Sequence, residues 1–288
     1  MELYLALSYA RPRRPTYRFI HRPVQSSTQR RDLFNRIAPV YDYLNDLLSL
    51  GQHRYGKEWQ CHGVDIAKME DSVLDLCCGS GDLAFLLSEK VGSQGKVIGL
   101  DFSKELLSVA SSRQKLLSKP CYENIEWVEG DALDLPFSDG YFDGITMGYG
   151  LRNVVDKRRA MQEIFRVLKE GSRVSILDFN KSNVPITALI QVLEFKSFDS
   201  LLFHLEWTID NVVVPVATNY GLADEYRYLK SSINEFLTGL WKDGTIGDHK
   251  CYFCTGKELE RLTLEVGFSK ARHYEISGGF MGNLVATR

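Results

Sequence analysis

The sequence lacks the features that are typical of membrane-spanning, disulfide-rich and nucleic-acid-binding proteins. None of its apolar runs approaches the ~18 residues that a membrane-spanning helix needs. Its six cysteines are irregularly spaced, which does not indicate a disulfide framework in a chain of 288 residues. The net charge of −2 gives no excess of basic residues for contact with nucleic acid. With 44% hydrophobic residues, the chain is expected to form one sizeable globular domain, or at most two.

The cysteines also lack the companions that a metal site needs. Cys251 and Cys254 form a single CxxC with His249 nearby, and the sequence has no second CxxC to complete a zinc site. Cys77 and Cys78 are adjacent, with no histidine or second thiol pair beside them. We therefore expect no metal, and we interpret Cys77 and Cys78 as small residues at a tight turn.

The first 28 residues differ in composition from the rest of the chain. They contain five arginines and a single acidic residue, Glu2, and no long apolar core such as a secretory signal carries. This composition is typical of an organelle transit peptide. We predict that the folded domain comprises residues 29–288.

An amphipathic helix is predicted to begin near Arg31, where apolar residues recur at intervals of three and four in RRDLFNRIAPVYDYLN. Pro39 must interrupt or restart this helix, because proline has no backbone N–H to donate.

Short apolar segments alternate with helical segments from Ser72 to Asn180. One helical segment, DKRRAMQEIFRVLKEG, is predicted to end at Gly171. The alternation predicts an α/β fold in which an open, mostly parallel seven-stranded sheet carries helices on both faces. Ligands of such sheets bind at the carboxyl ends of the strands. The predicted strands are SVLDLC, GKVIGLDFS, IEWVEGDA, FDGITMGYG, RVSILDFN, KARHYEIS and NLVATR.

The stretch LDLCCGSGD joins the first strand to a helix through two glycines. Gly79 and Gly81 permit positive φ angles and let a ligand approach the backbone. GSGDLA also satisfies the dinucleotide pattern G-x-G-x-x-G/A. Asp101 follows roughly twenty residues later, where an acid can accept hydrogen bonds from ribose hydroxyls. An NAD-dependent oxidoreductase is therefore one alternative.

Two acidic positions favour S-adenosyl-L-methionine over NAD. Asp75 lies within the strand that precedes the turn, where a carboxylate would repel a pyrophosphate and would suit an ammonium group. Asp131 and Ala132 follow the third strand, and an acid followed by a backbone amide can bind the exocyclic amine and a ring nitrogen of adenine.

Several segments give the chain a resemblance to a known family. The segments are LFNRIAPVYDYLND, VLDLCCGSGD, GDALDLPFSDG, GLRNV, EIFRVLKEGS and ILDFNKS. In these segments the chain resembles the ubiquinone/menaquinone-biosynthesis C-methyltransferases, from about Arg31 to Lys181 and again from Thr255 to the end. The final HYEISGGFMGNLVATR is most similar to the plant plastid members.

This resemblance implies a Rossmann-like S-adenosylmethionine-dependent methyltransferase fold with an N-terminal helical lid. It implies methyl transfer to a ring carbon of a lipophilic prenylated quinol, without a metal. A phytyl naphthoquinol in a chloroplast is the implied substrate, and a benzoquinol of mitochondrial ubiquinone biosynthesis is the alternative. A lipophilic substrate also implies a peripheral contact with a membrane.

The resemblance also implies the site residues. Arg152 and Asn153 would face the quinol, with Arg152 stabilising the developing phenolate. Tyr41 would cover the cofactor, together with Asp42, or would relay a proton. The implied cofactor-binding residues are Asp75, Gly79, Ser80, Gly81, Asp101, Asp131, Ala132 and Gly148.

Two segments near 190–206 and 240–256 depart from the family pattern. We interpret them as inserts, either real loops or translated intron sequence, in the region expected to wall the quinol pocket. A non-catalytic scaffold that retains the cofactor fold is therefore a further alternative. Cys77 stands where the family often has glycine, and we expect little loss from this change.

Overall fold

The structure is a computed structural model that describes residues 27–42, 66–179, 209–222, 225–226, 256–276 and 281–288. The predicted transit peptide up to residue 26, the segment 190–206, residues 240–255 of the second predicted insert and the CxxC lie outside the described residues. The predicted domain boundary at residue 29 stays a prediction.

A seven-stranded sheet forms the centre of the molecule. Its strands are β1 (Ser72–Leu76), β2 (Lys96–Asp101), β3 (Ile125–Glu129), β4 (Phe142–Gly148), β5 (Leu168–Phe179), β6 (Lys270–Ile276) and β7 (Met281–Thr287), in the order β3-β2-β1-β4-β5-β7-β6. Strands β1 to β5 are parallel, and β7 runs antiparallel between β5 and β6. The sheet has the strand number and the mostly parallel pairing that the sequence predicts.

The helices around the sheet are α1 (Ser27–Ile37), α2 (Asp82–Val91), α3 (Lys104–Leu117), α4 (Lys157–Val167), α5 (Val214–Asn219) and α6 (Gly256–Val266). The central strands are apolar because helices cover both sides: residues of β1, β4 and β5 form one core cluster with α4, and residues of β1 and β2 form another with α2. In the described part of the chain, no helix is long and apolar enough to cross a membrane.

The boundary between α4 and β5 differs from the sequence prediction. The helix ends at Val167 rather than at Gly171, and β5 begins at Leu168. Leu168 pairs with Phe142 of β4 and is fully buried. This pairing places the segment after Val167 in the sheet, although its helix propensity predicted one more turn of helix. The pairing is irregular between Phe142 and Gly144.

The N-terminal segment packs across the carboxyl ends of the strands. Helix α1 ends at Ile37, and a single 3₁₀ turn, Ala38–Val40, follows with Pro39 as its second residue, so the α-helix is interrupted next to the proline as expected. Phe34 is buried, with its ring 5.6 Å from that of Phe102 just after β2. The Ser103 hydroxyl donates to Oδ1 of Asn35 (2.7 Å), which fixes α1 beside the start of α3.

The sheet order reverses between β1 and β4. Crossovers lead from β1 towards β2 on one side and from β4 towards β5 on the other. Their diverging connections leave a crevice at the carboxyl ends of these two strands, which is where doubly wound sheets bind ligands.

Candidate active site

A cleft that is partly open to solvent lies at this crevice, beneath the N-terminal segment. The strand ends, the loop after β3 and the turn after β4 form its walls. Of the eleven residues predicted for the site, seven line the cleft: Tyr41, Gly79, Asp101, Asp131, Ala132, Gly148 and Asn153. The other four, Asp75, Ser80, Gly81 and Arg152, lie behind or beside this lining among the described residues.

The two glycines of the turn after β1 serve different purposes. Both have positive φ, +56° at Gly79 and +91° at Gly81. A Cβ on Gly79 would point to the cleft, 3.7 Å from Cε1 of Tyr41, whereas one on Gly81 would lie 2.5 Å from Cη2 of Trp127. Gly79 therefore opens the backbone to a ligand, and Gly81 lets Trp127 pack behind the turn.

Asp101 ends β2 as a buried carboxylate at the wall of the cleft. Its Oδ2 accepts a hydrogen bond from the Gly79 N–H (2.9 Å), and its Oδ1 accepts one from the Ser103 N–H (2.9 Å). Burial raises the pKa of Asp101 to about 6, against the lowering effect of these backbone donors. Each oxygen keeps a further lone pair, so the carboxylate can also accept bonds from a diol.

Asp75 lies within the sheet rather than in the cleft lining. It is fully buried, and its Oδ1 accepts a hydrogen bond from the Thr146 hydroxyl (3.0 Å) of neighbouring β4. Asp75 therefore lies beneath the glycine turn, in the strand that leads into it, and not in the wall of the cleft.

The loop after β3 places Asp131 and Ala132 at the cleft. Oδ1 of Asp131 accepts a hydrogen bond from the Leu133 N–H (3.0 Å), so the carboxylate stabilises the loop that carries it. Ala132 is buried. Asp131 is exposed, which leaves its remaining acceptor capacity available at the cleft.

Glu163 and Arg166 of α4 support this loop, and sequence reasoning missed them. Glu163 accepts a hydrogen bond from the Leu135 N–H (2.9 Å) and pairs with Arg166 (2.7 Å). Arg166 donates to the carbonyl oxygens of Leu135 (2.9 Å) and Phe137 (2.7 Å). The hydrogen bond to Arg166 lowers the pKa of Glu163. The only sequence signal is an acid and a base three residues apart on a helix.

The turn after β4 carries two of the residues predicted to face a substrate. Asn153 lines the cleft. Arg152 instead pairs with Asp178, which lies near the end of β5. The Asp178 carboxylate accepts hydrogen bonds from the backbone N–H of Arg152 (3.0 Å) and from Nη1 of Arg152 (3.1 Å). Asp178 was not predicted, because nothing in the local sequence links it to Arg152.

Tyr149 precedes that turn in an unusual conformation. Its φ of +58° is in the left-handed region, which is uncommon for a bulky residue. Its hydroxyl donates to Sδ of Met281 (2.7 Å), and its ring lies beneath the Arg152 guanidinium, with 5.9 Å between Cζ and the ring centroid. Burial raises the pKa of Tyr149, so the hydroxyl stays protonated.

Of the two adjacent cysteines, Cys78 is buried, and Cys77 is half-buried in the lining of the cleft. Burial, together with the charge of Asp101, raises the pKa of both Cys77 and Cys78 well above the ordinary range, so neither is a reactive thiolate. Cys77 has a φ of +58°, and its Cβ would lie 2.6 Å from a Cβ on Gly150. Among the described residues, no cluster of potential ligands could hold a metal ion, and the absence of a metal stays a prediction.

The chain is similar to methyltransferases in sequence and in fold. Residues 23–239 match the ubiE/COQ5 methyltransferase family. The chain is 62% identical to the chloroplastic 2-phytyl-1,4-beta-naphthoquinone methyltransferase of Arabidopsis thaliana over 265 residues, which cover 92% of this chain and 89% of the relative. It is 44% identical to a 2-phytyl-1,4-naphtoquinone methyltransferase of Nostoc sp. over 258 residues, or 90% of this chain and 98% of the relative.

A solved structure shows the same fold at low sequence identity. The crystal structure of a SAM-dependent methyltransferase from Thermotoga maritima superimposes with a TM-score of 0.52 at 18% identity, over 89% of this chain and 98% of that one. At this identity the likeness concerns the fold alone.

Proposed function

The chain belongs to the ubiE/COQ5 methyltransferase family, and from that membership we propose that it methylates a phytyl naphthoquinol in phylloquinone biosynthesis. Membership confirms the resemblance and the predicted Rossmann-like fold, and the enzyme is a methyltransferase that uses S-adenosyl-L-methionine. Because the chain belongs to a methyltransferase family, we do not retain the alternative of an NAD-dependent oxidoreductase. The predicted plastid location is confirmed by the chloroplastic relative.

One observation carries the choice of substrate: the 62% identity to the Arabidopsis naphthoquinone methyltransferase extends over 92% of the chain. The cyanobacterial relative of 44% identity bears an equivalent name. A phytyl tail partitions into lipid, so we also propose that the enzyme meets its substrate by a peripheral contact with a membrane.

The residues of the cleft fit S-adenosyl-L-methionine. Asp101 presents a carboxylate suited to ribose hydroxyls, and Gly79 brings backbone to the cleft without a side chain. Asp131 and the Ala132 N–H have the acceptor and donor that an adenine edge requires. The charge of buried Asp75 favours a cationic ligand over a pyrophosphate. We assign these five residues to the cofactor.

Bound S-adenosyl-L-methionine supplies an activated methyl group, which leaves its sulfonium as a new bond forms to a ring carbon. The protein must hold the ring in line with that methyl group and exclude water. Loss of a phenolic proton raises the electron density on the neighbouring ring carbon. After methylation, the same ring carbon loses its proton and the aromatic quinol is restored.

Asn153 and Arg152 are the residues that we assign to the quinol. Asn153 lines the cleft, and its amide can bond a quinol oxygen. Arg152 stays protonated in proteins, and its guanidinium lies next to this turn, so its field favours a phenolate. The ion pair with Asp178 weakens the field of the Arg152 guanidinium but fixes the position of this guanidinium. Tyr41 lies over the cleft and is the candidate to relay the proton.

A competition between ring types tests the substrate assignment. The enzyme receives S-adenosyl-L-methionine and equal amounts of reduced demethylated phytyl naphthoquinone and reduced demethylated prenyl benzoquinone. We expect kcat/KM to favour the naphthoquinol by at least about tenfold, since the pocket must fit one ring system better than the other. Preference for the benzoquinol would instead support the role in ubiquinone biosynthesis.

A further inference from the structure

Arg113, on α3, joins the N-terminal segment to the glycine turn. Its Nη1 donates to the carbonyl oxygen of Ser80 (2.8 Å) and lies 2.8 Å from Oδ1 of Asp82, the first residue of α2. The same nitrogen lies 3.3 Å from Oδ2 of Asp42. Cζ of the guanidinium lies 5.4 Å from the centre of the Phe85 ring. The three polar contacts converge on this one nitrogen, which carries two N–H groups, while the guanidinium lies over the Phe85 ring.

Asp42 completes a closed set of contacts with Arg113 and Ser80. Its Oδ1 accepts a hydrogen bond from the Ser80 hydroxyl (2.5 Å), while its Oδ2 faces Arg113. Tyr41, the preceding residue, lines the cleft and packs over Gly79. The bonds that hold Asp42 therefore also hold Tyr41 above the glycine turn.

The contacts among Arg113, Asp42 and Ser80 are weak enough to break and form again. Arg113 is 33% exposed and Asp42 is 39% exposed, so solvent and salt screen their attraction. Ser80 is buried, and its hydroxyl and carbonyl both take part, which gives the arrangement a fixed geometry. Breaking these few bonds would release the end of the N-terminal segment from the turn.

We propose that Arg113 is a positioning residue that latches residues 27–42 to the glycine turn, so that Tyr41 stays closed over the bound cofactor. Release of the cofactor then requires the Asp42–Arg113 contact to open. This inference rests on the proposed function only in taking S-adenosyl-L-methionine or its demethylated product as the occupant of the cleft.

The dissociation rate of S-adenosylhomocysteine tests the latch. Protein loaded with this product is mixed with excess S-adenosyl-L-methionine, and release is followed for Arg113→Gln, Asp42→Asn and the double variant. We expect each single variant to release the product about three- to tenfold faster. Because the two residues share the Asp42–Arg113 contact, the effects should not multiply, and the double variant should be slower than the product of the two single effects predicts. Unchanged release in the single variants, or effects that multiply in the double variant, would overturn the proposal.

A matched control and a salt series separate the latch from general damage. Lys119→Gln removes an equal charge from an exposed pair with Glu89 (2.6 Å) and should leave release unchanged. Salt raised from about 0.05 to 0.5 M should speed release from the wild type and have little effect on Arg113→Gln. A salt response that survives in Arg113→Gln would contradict the latch. If Arg113→Gln does not fold, Asp42→Asn decides, and unchanged release then overturns the proposal.

The outcome is separable from that of the proposed function. A chain that shows this latch but methylates no quinol would contradict the proposed function alone. A chain that methylates the naphthoquinol with release rates indifferent to Asp42 and Arg113 would contradict the latch alone.

Discussion

Arg152 and Asp178 form an ion pair that is largely withdrawn from solvent. Their Nη1 and Oδ1 atoms are 3.1 Å apart, and their side chains are only 9% and 13% exposed. Asp178 also accepts a hydrogen bond from the Arg152 backbone N–H, so one carboxylate holds both the charge and the turn that carries Asn153. A buried pair of this kind is costly to break from one side, since the remaining charge is left uncompensated.

If Arg152 has the proposed role, Arg152→Ala is expected to lower kcat by about a hundredfold or more, because it removes the positive charge whose field favours the phenolate. The affinity for S-adenosyl-L-methionine should change by less than about twofold, since Arg152 does not line the cleft. Steady-state kinetics with calorimetry measures both. The double variant Arg152→Ala/Asp178→Ala should recover stability but not turnover. A large loss of cofactor affinity would mean that Arg152 belongs to the cofactor site.

The affinity for S-adenosyl-L-methionine should fall as the pH drops through about 6, where the Asp101 carboxylate becomes protonated. A ligand diol needs the ionised form, so affinity should be about tenfold weaker at pH 5 than at pH 7. Because the pKa of Asp101 is higher in the folded state than in the unfolded chain, the folded state is stabilised through this group as the pH falls from about 6 towards the ordinary pKa of an aspartate. Unfolding caused by protonation of Asp101 would therefore not explain the loss of cofactor affinity. Asp101→Asn should bind weakly, without this pH dependence. Identical pH profiles for both proteins would refute the role of Asp101.

Alanine at the two glycines should have distinguishable effects. Gly81→Ala should destabilise the protein by about 3 kcal/mol, from left-handed strain and a clash with Trp127. Gly79→Ala should cost about 1–2 kcal/mol of stability and should also weaken cofactor binding, because its methyl group enters the cleft. Thermal unfolding and calorimetry measure the two quantities. If both variants lost cofactor affinity equally while the folded state remained populated, the separate roles of Gly79 and Gly81 would be contradicted.

Glu163→Gln is expected to destabilise the protein by about 1–3 kcal/mol at neutral pH, because it removes the charge that faces Arg166. The pKa of Glu163 is lowered, so its contribution is present above its usual pKa and is lost as pH falls through the folded-state value. The difference from wild type should therefore shrink in acid. Glu126→Gln, in the exposed pair with Lys96, is the control and should change little. A difference that is constant with pH would exclude the charge as its origin.

The sequence predicted the sheet because strands buried on both faces are continuous apolar runs. It misplaced the start of β5 because Lys169 and Glu170 are good helix formers, and only the pairing of Leu168 with the distant Phe142 makes the segment a strand. The glycine turn and Asp101 were predictable because their chemistry depends on local spacing.

The supporting residues of the site were not predictable in the same way. Asp178 lies 26 residues from Arg152, and Glu163 lies 28 residues from Leu135. Arg113 meets Asp42 across 71 residues. Each role is created by a partner that folding brings near, and a single sequence shows no trace of the pairing.

Transfer of an isotopically labelled methyl group tests the central claim most directly. The protein is incubated with methyl-labelled S-adenosyl-L-methionine and demethylated phytyl naphthoquinone, in its reduced and oxidised forms, and the product is identified by mass spectrometry and NMR. The account predicts label on a ring carbon, from the reduced substrate only, because a phenolate is needed to activate that carbon. A protein that binds S-adenosyl-L-methionine but places label on an oxygen, or on no quinol, would contradict it.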